Sequence, residues 1–354
     1  MTISSISIPM RYVGPVRITG DINCSVRVPL ATFESPMWPS TNRGASVSRL
    51  AGGIRTTLLS NCMTRSILVE GPNAHYLRSC IHELDIDRLN QITITTSQYA
   101  KLKTINHQIN GKLLFLRLEF NTGDAAGHNM VTQAADAIIN WLTQTFSQLM
   151  YVSISGNYCV DKKVSAVNGI LGRGKSVVAE ITIPRSICLE KLKTTPQAIC
   201  DLNLKKNLIG SILSGSLRTA NAHFANLLLG FYLALGQDAA NIVEGSQGVV
   251  YTEMQGEDLY FSVTLPNIIV GCIGNGKEHP FVQENLMILG CNKLAESGEN
   301  AERLAMICAA TVLCGELSLL AAQSNSGELM AAHHRFERGT EDYQESSESK
   351  ETAK

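Results

Sequence analysis

No charge of either sign dominates this chain. Its 30 Lys and Arg stand against 31 Asp and Glu, a formal charge of −1. No global basic field is therefore present to hold nucleic acid or an anionic membrane. A ligand bearing phosphates must be met by a local cluster of cations instead. The ten cysteines contain no Cys-x-x-Cys pair, a spacing that argues against a zinc site or any other metal centre. They read as reduced, mostly buried thiols of a cytoplasmic protein. Met1 to Met10 has no apolar run of the length a secretory signal needs. Uninterrupted apolar runs are also scarce. Asn226 to Gly236 is too short to span a bilayer, and Leu304 to Ala322 is interrupted by Glu316. The second run is rich in Ala, Cys and Gly and reads as a buried core helix. No internal repeat is visible.

What is present is an ordinary globular composition. Hydrophobic residues make up 44% and charged residues 17% of 354 positions, enough for a large core and about two domains. The N-terminal part alternates as β at Val16–Thr19 and Ser25–Val28, followed by Gly-rich segments at Arg43-Gly44 and Gly52-Gly53. Ser66–Val69, Ile92–Thr95 and Leu114–Leu118 read as strands, and residues near Ala74 to Leu84 as a helix. Met130, Ala134, Ile138, Leu142 and Phe146 recur every four residues, with Val131, Ala135 and Ile139 beside them, which is one apolar helix face. Asn207–Gly215, Asn221–Gly236 and Ala301–Gln323 read as further helices, with strands at Val177–Ile183 and Leu259–Leu265. The expectation is an α+β chain with a small ferredoxin-like α/β sandwich, 67–152, inserted into a large helical and β domain, 1–66 and 153–336. From Glu337 to Lys354 the chain is polar, with six acids and three bases, and reads as a disordered tail.

One motif is misleading. Gly169-Ile-Leu-Gly172-Arg-Gly174-Lys175-Ser176 matches the P-loop pattern literally. That loop works only where a helix comes next, because the helix start and the loop amides hold the phosphates. Here Val177 to Ile183 is a β-branched strand pattern closed by Pro184. The reading is a Gly-rich turn entering a strand.

The most informative segment is Ser155-Gly-Asn-Tyr-Cys-Val-Asp161-Lys162-Lys163. Taken alone, it would make a solvated charged turn. Its company changes that reading. From Ser155 through Gly172-Arg173-Gly174-Lys175-Ser176 the chain resembles the class I HMG-CoA reductases nearly residue for residue, and four more segments agree in order. These are Ser40-Thr41-Asn42-Arg43-Gly44 with Met63-Thr64-Arg65, then Gly123-Asp124-Ala125-Ala126-Gly127-His128-Asn129-Met130. The third set is Lys206-Asn207-Leu208, Asn221-Ala222-His223, Asn226 and Gly236-Gln237-Asp238. The last is Gly315-Glu316-Leu317, which precedes His333. The loop from Asn121 to Gly127 also makes physical sense unaided. Small residues allow a diphosphate close to the backbone, and the free N–H groups of the next helix would bind it.

The resemblance implies reduction of 3-hydroxy-3-methylglutaryl-CoA to mevalonate with two hydrides from NADPH, or NADH, in isoprenoid synthesis. It implies Lys162 as the cation beside the thioester oxygen, His333 as the acid that protonates the leaving thiolate and Glu34 as a carboxyl with a raised pKa that supplies the second proton. Asp238 is expected to bond with both Lys162 and Glu34. The substrate carboxylate would meet Arg65, Lys163 and Lys206, with Ser155, Asp161 and Asn226 adding polar contacts. CoA would meet Arg43 and Lys193, with Ser40, Asn42, His223 and Arg338 nearby. The cofactor would meet Ser97, Gln98, Asp124, Ala126, Gly127, His128, Asn129 and Met130. A homodimer or higher homo-oligomer, with the site at the subunit interface and no membrane or nucleic-acid partner, is also implied.

The chain departs from the family at Thr32-Phe33-Glu34-Ser35-Pro36, where Thr-Thr-Glu-Gly is usual, and at Gln98, where an arginine suited to a 2′-phosphate is common. The family's Glu-Asn-Val-Ile-Gly dimerisation segment has no counterpart, which leaves open how the expected homo-oligomer is assembled. Two further readings share these residues: a homologue that binds CoA thioesters without turnover, and an NADH-linked reductase that breaks mevalonate down. The coexistence of Glu34, Lys162, Asp238 and His333 favours the active enzyme.

Overall fold

The computed structural model describes residues 6–331. The tail and the expected site residues His333 and Arg338 lie outside the described residues. The chain is an α+β fold organised around one long strand. Strands β1 (Met10–Gly20) and β2 (Cys24–Ala31) form an antiparallel hairpin, and helix α1 (Met37–Leu50) comes next. Then β3 (Ile54–Glu70) runs through two sheets. Its first half pairs with β1 and with β7 (Gly174–Ile183), and its second half pairs with β5 (Leu113–Asn121) and β6 (Met150–Ser153). The larger sheet has the order β2-β1-β3-β7-β10-β9-β8, completed by β8 (Thr219–Ala220), β9 (Gly248–Gln255) and β10 (Asp258–Ile268). The smaller runs β4-β5-β3-β6, with β4 (Lys101–Asn110) at its edge.

The apolar side chains divide the same way. Those of residues 63–149, joined by Ile269, form one cluster, and nearly everything else forms the other. The smaller cluster is built from β3, β5, α2 (Ala74–His82), α3 (Ile86–Ile94) and α4 (His128–Thr145). The four-residue period in α4 buries Val131, Ala134, Ala135, Ile138, Ile139 and Leu142, the face its spacing requires. The alternation at Ile92–Thr95 does not make a strand, as expected from sequence, but closes α3. Asp85 caps that helix through the Asp87 amide, and Leu89 and Thr93, one turn apart, are its buried face.

The larger cluster surrounds α12 (Glu299–Gln323), which is long and apolar enough to cross a membrane by length and composition but is 94% buried across its most apolar window. Helix α1 crosses it where a Cβ on Gly44 would lie 2.1 Å from the Cys314 carbonyl oxygen. Only glycine allows that approach, so the Gly-rich segment at Arg43-Gly44 is a helix crossing. The charge inside α12 is also explained. Glu316 is fully buried, and its two oxygens accept from the backbone amides of Ala222 and His223, fixing the entry to α9 (Phe224–Ala234). Between β7 and β8 the chain winds through α6 (Arg185–Ile187), α7 (Pro196–Leu202) and α8 (Ser211–Leu213), while α5 (Ala166–Leu171) precedes β7. Two wide π-helical stretches, Cys188–Leu192 and Asn203–Gly210, lie among them. The helix expected at Asn207–Gly215 is therefore shifted toward the N-terminus, where Asn207 donates to Asn203 Oδ1 in the interior (2.8 Å). Helices α10 (Ile242–Gly245) and α11 (Pro280–Leu289) complete the unit.

Candidate active site

Two cavities gather the chemically interesting side chains. The first, about 550 Å³, lies where the two clusters meet and is walled by Arg65, residues 125–132, Asp161, Lys162, Asp238 and Lys277, among others. Its floor is the chain between β6 and α5. Asn157, Val160 and Lys162 there have φ of 56°, 43° and 55°, left-handed values that a β-branched residue reaches only when its surroundings compel it. The Val160 carbonyl accepts from Asn168 Nδ2 (2.8 Å). The Asp161 carboxylate meets Arg173 at 2.8 Å and Arg65 at 3.9 Å. The Lys162 ammonium lies 2.7 Å from Asp238 Oδ2.

This pair is set by a turn. Asp238 caps Ala239–Asn241, accepting from the Ala240 amide (3.1 Å). The hydrogen bond from Lys162 raises the lysine above its ordinary value. Burial pushes the Asp238 carboxyl up more than any one partner pulls it down, but the Lys162 hydrogen bond, the Ala240 amide and the charges of Lys162 and His128 together outweigh it, and the net direction is down. Both directions favour a charged pair. Next to it, burial and then the Arg173 guanidinium hold His128 below the usual imidazole value, and its Nε2 faces the Asn241 amide at 3.2–3.3 Å. His128 opens α4, whose cap Gly127 (φ 94°) offers no side chain and whose first turn holds no acid. The first amides of α4 are left for a ligand. The loop before them is tied down by Asp124, whose Oδ1 accepts from the Ala301 amide and whose carbonyl accepts from Cys272 N (2.9 and 2.8 Å). Gly271 packs beneath, where a Cβ would stand 2.3 Å from the Ala126 nitrogen.

The second cavity, about 470 Å³, is lined by Glu34, Ser40, Arg43, His223, Asn226 and Leu319, among others. Asn226 Nδ2 donates to Glu34 Oε2 (2.9 Å). Arg43 donates to the Ser318 hydroxyl and carbonyl (2.9 and 2.7 Å) and faces Glu328 at 3.7 Å, while Ser40 donates to the same hydroxyl (3.0 Å). The backbone N–H of His223 points at Glu316, and its Nε2 is buried without a protein partner among the described residues.

A charged lysine–aspartate pair beside a helix start and two arginines can stabilise a developing oxyanion and hold an anionic cofactor. The chain has known relatives. The family model described as hydroxymethylglutaryl-coenzyme A reductase matches residues 1–338. The chain belongs to that reductase family. It is 44% identical over 326 residues to the 3-hydroxy-3-methylglutaryl-coenzyme A reductase of Pyrococcus horikoshii, covering 90% of this chain and 79% of that one. It is 42% identical over 343 residues to the reductase of Aeropyrum pernix, covering 95% and 81%. The class II reductase of Streptococcus pneumoniae, described as bound to NADPH in open conformations, shares the fold. Its TM-score is 0.72 at 17% identity, over 91% of this chain and 86% of that one.

Within the reductase fold, the residues expected from sequence fall into three groups. Arg65, Asp161, Lys162, Asp238 and the run Ala126 to Met130 share the first cavity. Glu34, Ser40, Arg43, His223 and Asn226 share the second. The others among the described residues line neither. Asn42 Oδ1 accepts from Gly14 N (2.7 Å), so it serves the fold. Lys163 reaches back toward Asn157 Oδ1 and the Asp161 carbonyl (3.5 and 3.3 Å). Ser155 lies in a turn with Ser153, and Ser97 accepts from Tyr99 N (3.2 Å) in the loop before β4, with Gln98 beside it. Lys193 stands at a left-handed turn (φ 59°) whose carbonyl takes a hydrogen bond from Asn325. Lys206 donates to Asn207 (3.1 Å), and burial lowers its pKa. The Glu34 carboxyl meets Asn226 rather than Asp238. After it, Pro36 caps α1 with a helical φ of −62°, and the Glu34 carbonyl accepts from Met37 N (3.0 Å). Sequence reasoning missed Asn241, Glu244 and Lys277. Nothing in the local pattern of Ile242-Val243-Glu244-Gly245 marks its acid as more than a surface residue.

Proposed function

We propose that this chain is a hydroxymethylglutaryl-CoA reductase that converts the thioester of HMG-CoA to mevalonate and CoA while two NADPH are oxidised. The observation that carries the proposal is the Lys162–Asp238 pair, 2.7 Å apart, in a cavity shared with the open start of α4. The residues around that cavity suit NADPH. The uncapped first turn of α4 with small residues before it suits a diphosphate, and the bound nucleotide supplies hydride at the thioester carbon. Each hydride leaves negative charge on the substrate oxygen. Lys162, kept protonated by Asp238, donates to that oxygen where the charge develops. The hemithioacetal, still an oxyanion held by Lys162, then re-forms a carbonyl as the aldehyde and expels thiolate, which takes its proton from an acid, the role given by the resemblance to His333. The aldehyde accepts the second hydride, and Glu34 supplies the matching proton. Two protons and two hydrides thus balance one thioester carbonyl becoming an alcohol and a thiol. Arg65 is assigned to the free carboxylate of the substrate, and Arg43 and His223 to the CoA side.

The small unit, 67–152, is assigned to the cofactor, and the remainder through 336 to HMG-CoA. In one chain Glu34 and Lys162 line different cavities. That separation supports a homo-oligomer in which a second copy completes the site. Ten free cysteines suit a reducing cytoplasm.

The test is absorbance at the nicotinamide band with HMG-CoA and NADPH or NADH in parallel cuvettes. The expected result is oxidation of two cofactor molecules per substrate. Binding of HMG-CoA without oxidation of either cofactor would reject the reductase reading and leave a binding homologue.

A further inference from the structure

Lys162 is gripped at both ends by one short segment. Its ammonium meets Asp238, and its backbone N–H donates to Glu244 Oε1 at 3.2 Å. Asp238 and Glu244 belong to the same continuous turn, since Asp238 caps Ala239–Asn241 and α10 begins immediately after it. Glu244 is fully buried, and so in effect is Arg173 at 1% exposure. A carboxylate in that position is costly unless it is paired and hydrogen-bonded. Arg173 Nη1 meets it at 2.7 Å, and the same guanidinium reaches Asp161 Oδ1 through Nη2 at 2.8 Å. Residues 161 and 162 are therefore both tied to one buried scaffold, the first by its side chain and the second by its amide. The turn itself is anchored, because Asn267 Nδ2 donates to the Glu244 carbonyl (3.1 Å). The left-handed φ of Val160 and Lys162 needs such an anchor, as neither residue adopts it freely. Burial pushes the Glu244 carboxyl up to about 7 against the pull of Arg173, which is the cost of placing an acid there.

We propose that Glu244 is a positioning residue. Through Arg173 and the Lys162 amide it holds the 160–162 backbone in the one conformation that aims the Lys162 ammonium at Asp238 and the cavity. The inference rests on Lys162 being the cation of the reaction.

The test separates reach from charge with two variants of the full chain. Glu244→Gln keeps the length and an acceptor oxygen. Glu244→Asp keeps the charge but is one methylene short of the Lys162 amide. Turnover with HMG-CoA and NADPH, KM for both, and melting temperature are measured for each, with Lys162→Met as control. The expected result is that Gln stays within about threefold of the parent. Asp should lose about 10- to 100-fold in kcat with KM moved less than about threefold, the scale of a catalytic group displaced by about 1 Å. Three results overturn the proposal: both variants within twofold of the parent, Asp more active than Gln, or losses that simply track melting temperature. If Lys162→Met itself turns over normally, the reading of the site has failed, whatever the Glu244 variants do.

Discussion

Lys162 and Lys175 lie close in sequence, each behind a turn that contains glycine, and the fold treats them in opposite ways. Lys175 completes a literal P-loop pattern, yet β7 begins at Gly174 and carries the ammonium inward, where it is 2% exposed and its nearest acceptor is the Val270 carbonyl at 3.4 Å. Burial lowers its pKa. Lys162 matches no general motif but sits in a cavity with its side chain 40% exposed and paired to Asp238. Burial also opposes its charge, but the Asp238 hydrogen bond outweighs it. A lysine's chemistry is thus decided by the backbone that carries it: a core strand buries it, and a turn with left-handed residues presents it.

The sharpest way to break this comparison is to remove each amine. Lys162→Met should lower kcat by about 10²–10³-fold, the usual cost of deleting an oxyanion donor, in a steady-state NADPH assay. Equal losses on removing Lys175 would end the contrast. Asp238→Asn should cost about 10²-fold and also change the pH profile. Asp238 raises the Lys162 pKa, so the lysine keeps its proton to higher pH in the parent. Without that pull the basic limb of kcat should move to lower pH, and an unmoved limb would mean that Lys162 is not the titrating group. Asn226→Ala, which removes the donor to Glu34, should cost about tenfold in kcat, the scale of one hydrogen bond. Lys175→Met should leave kcat within about threefold of the parent. Its effect should be on stability, with a sign set by linkage. A lysine whose pKa is lowered in the fold destabilises the protein below its folded value, and that cost is relieved as pH rises toward the unfolded value of about 10.4. The Met variant should therefore melt a few degrees higher near pH 7, with the gain shrinking toward pH 10. A lower melting temperature at pH 7 would show that the amine stabilises the core.

Much of the fold and of the candidate site is legible in the chain itself. The strand, small-residue loop and helix that build one side of the first cavity are expected from periodicity, and the rejection of the P-loop from the Val177–Ile183 alternation. The four-residue apolar face of α4 is buried as its spacing requires. Other features are hidden because their cause is distant. Ile92–Thr95 alternates like a strand, but a capping aspartate and the packing of Leu89 and Thr93 make it a helix end. Gly44 looks like a loop glycine until α12 is laid across it. Asn42 and Arg43 are neighbours, yet one supports the β1 hairpin and the other lines a cavity.

The amino-acid sequence by itself determined the family, the α+β class and the identities of Lys162 and Asp238, because local periodicity and ordered motifs are properties of neighbours along the chain. Only the tertiary structure decided that Glu244 takes the Lys162 amide while Arg173 takes the Asp161 carboxylate, that Glu34 pairs with Asn226, and that Lys175 is buried. Those outcomes depend on which distant segments exclude water around a charge, and burial of that kind is not written in any local pattern.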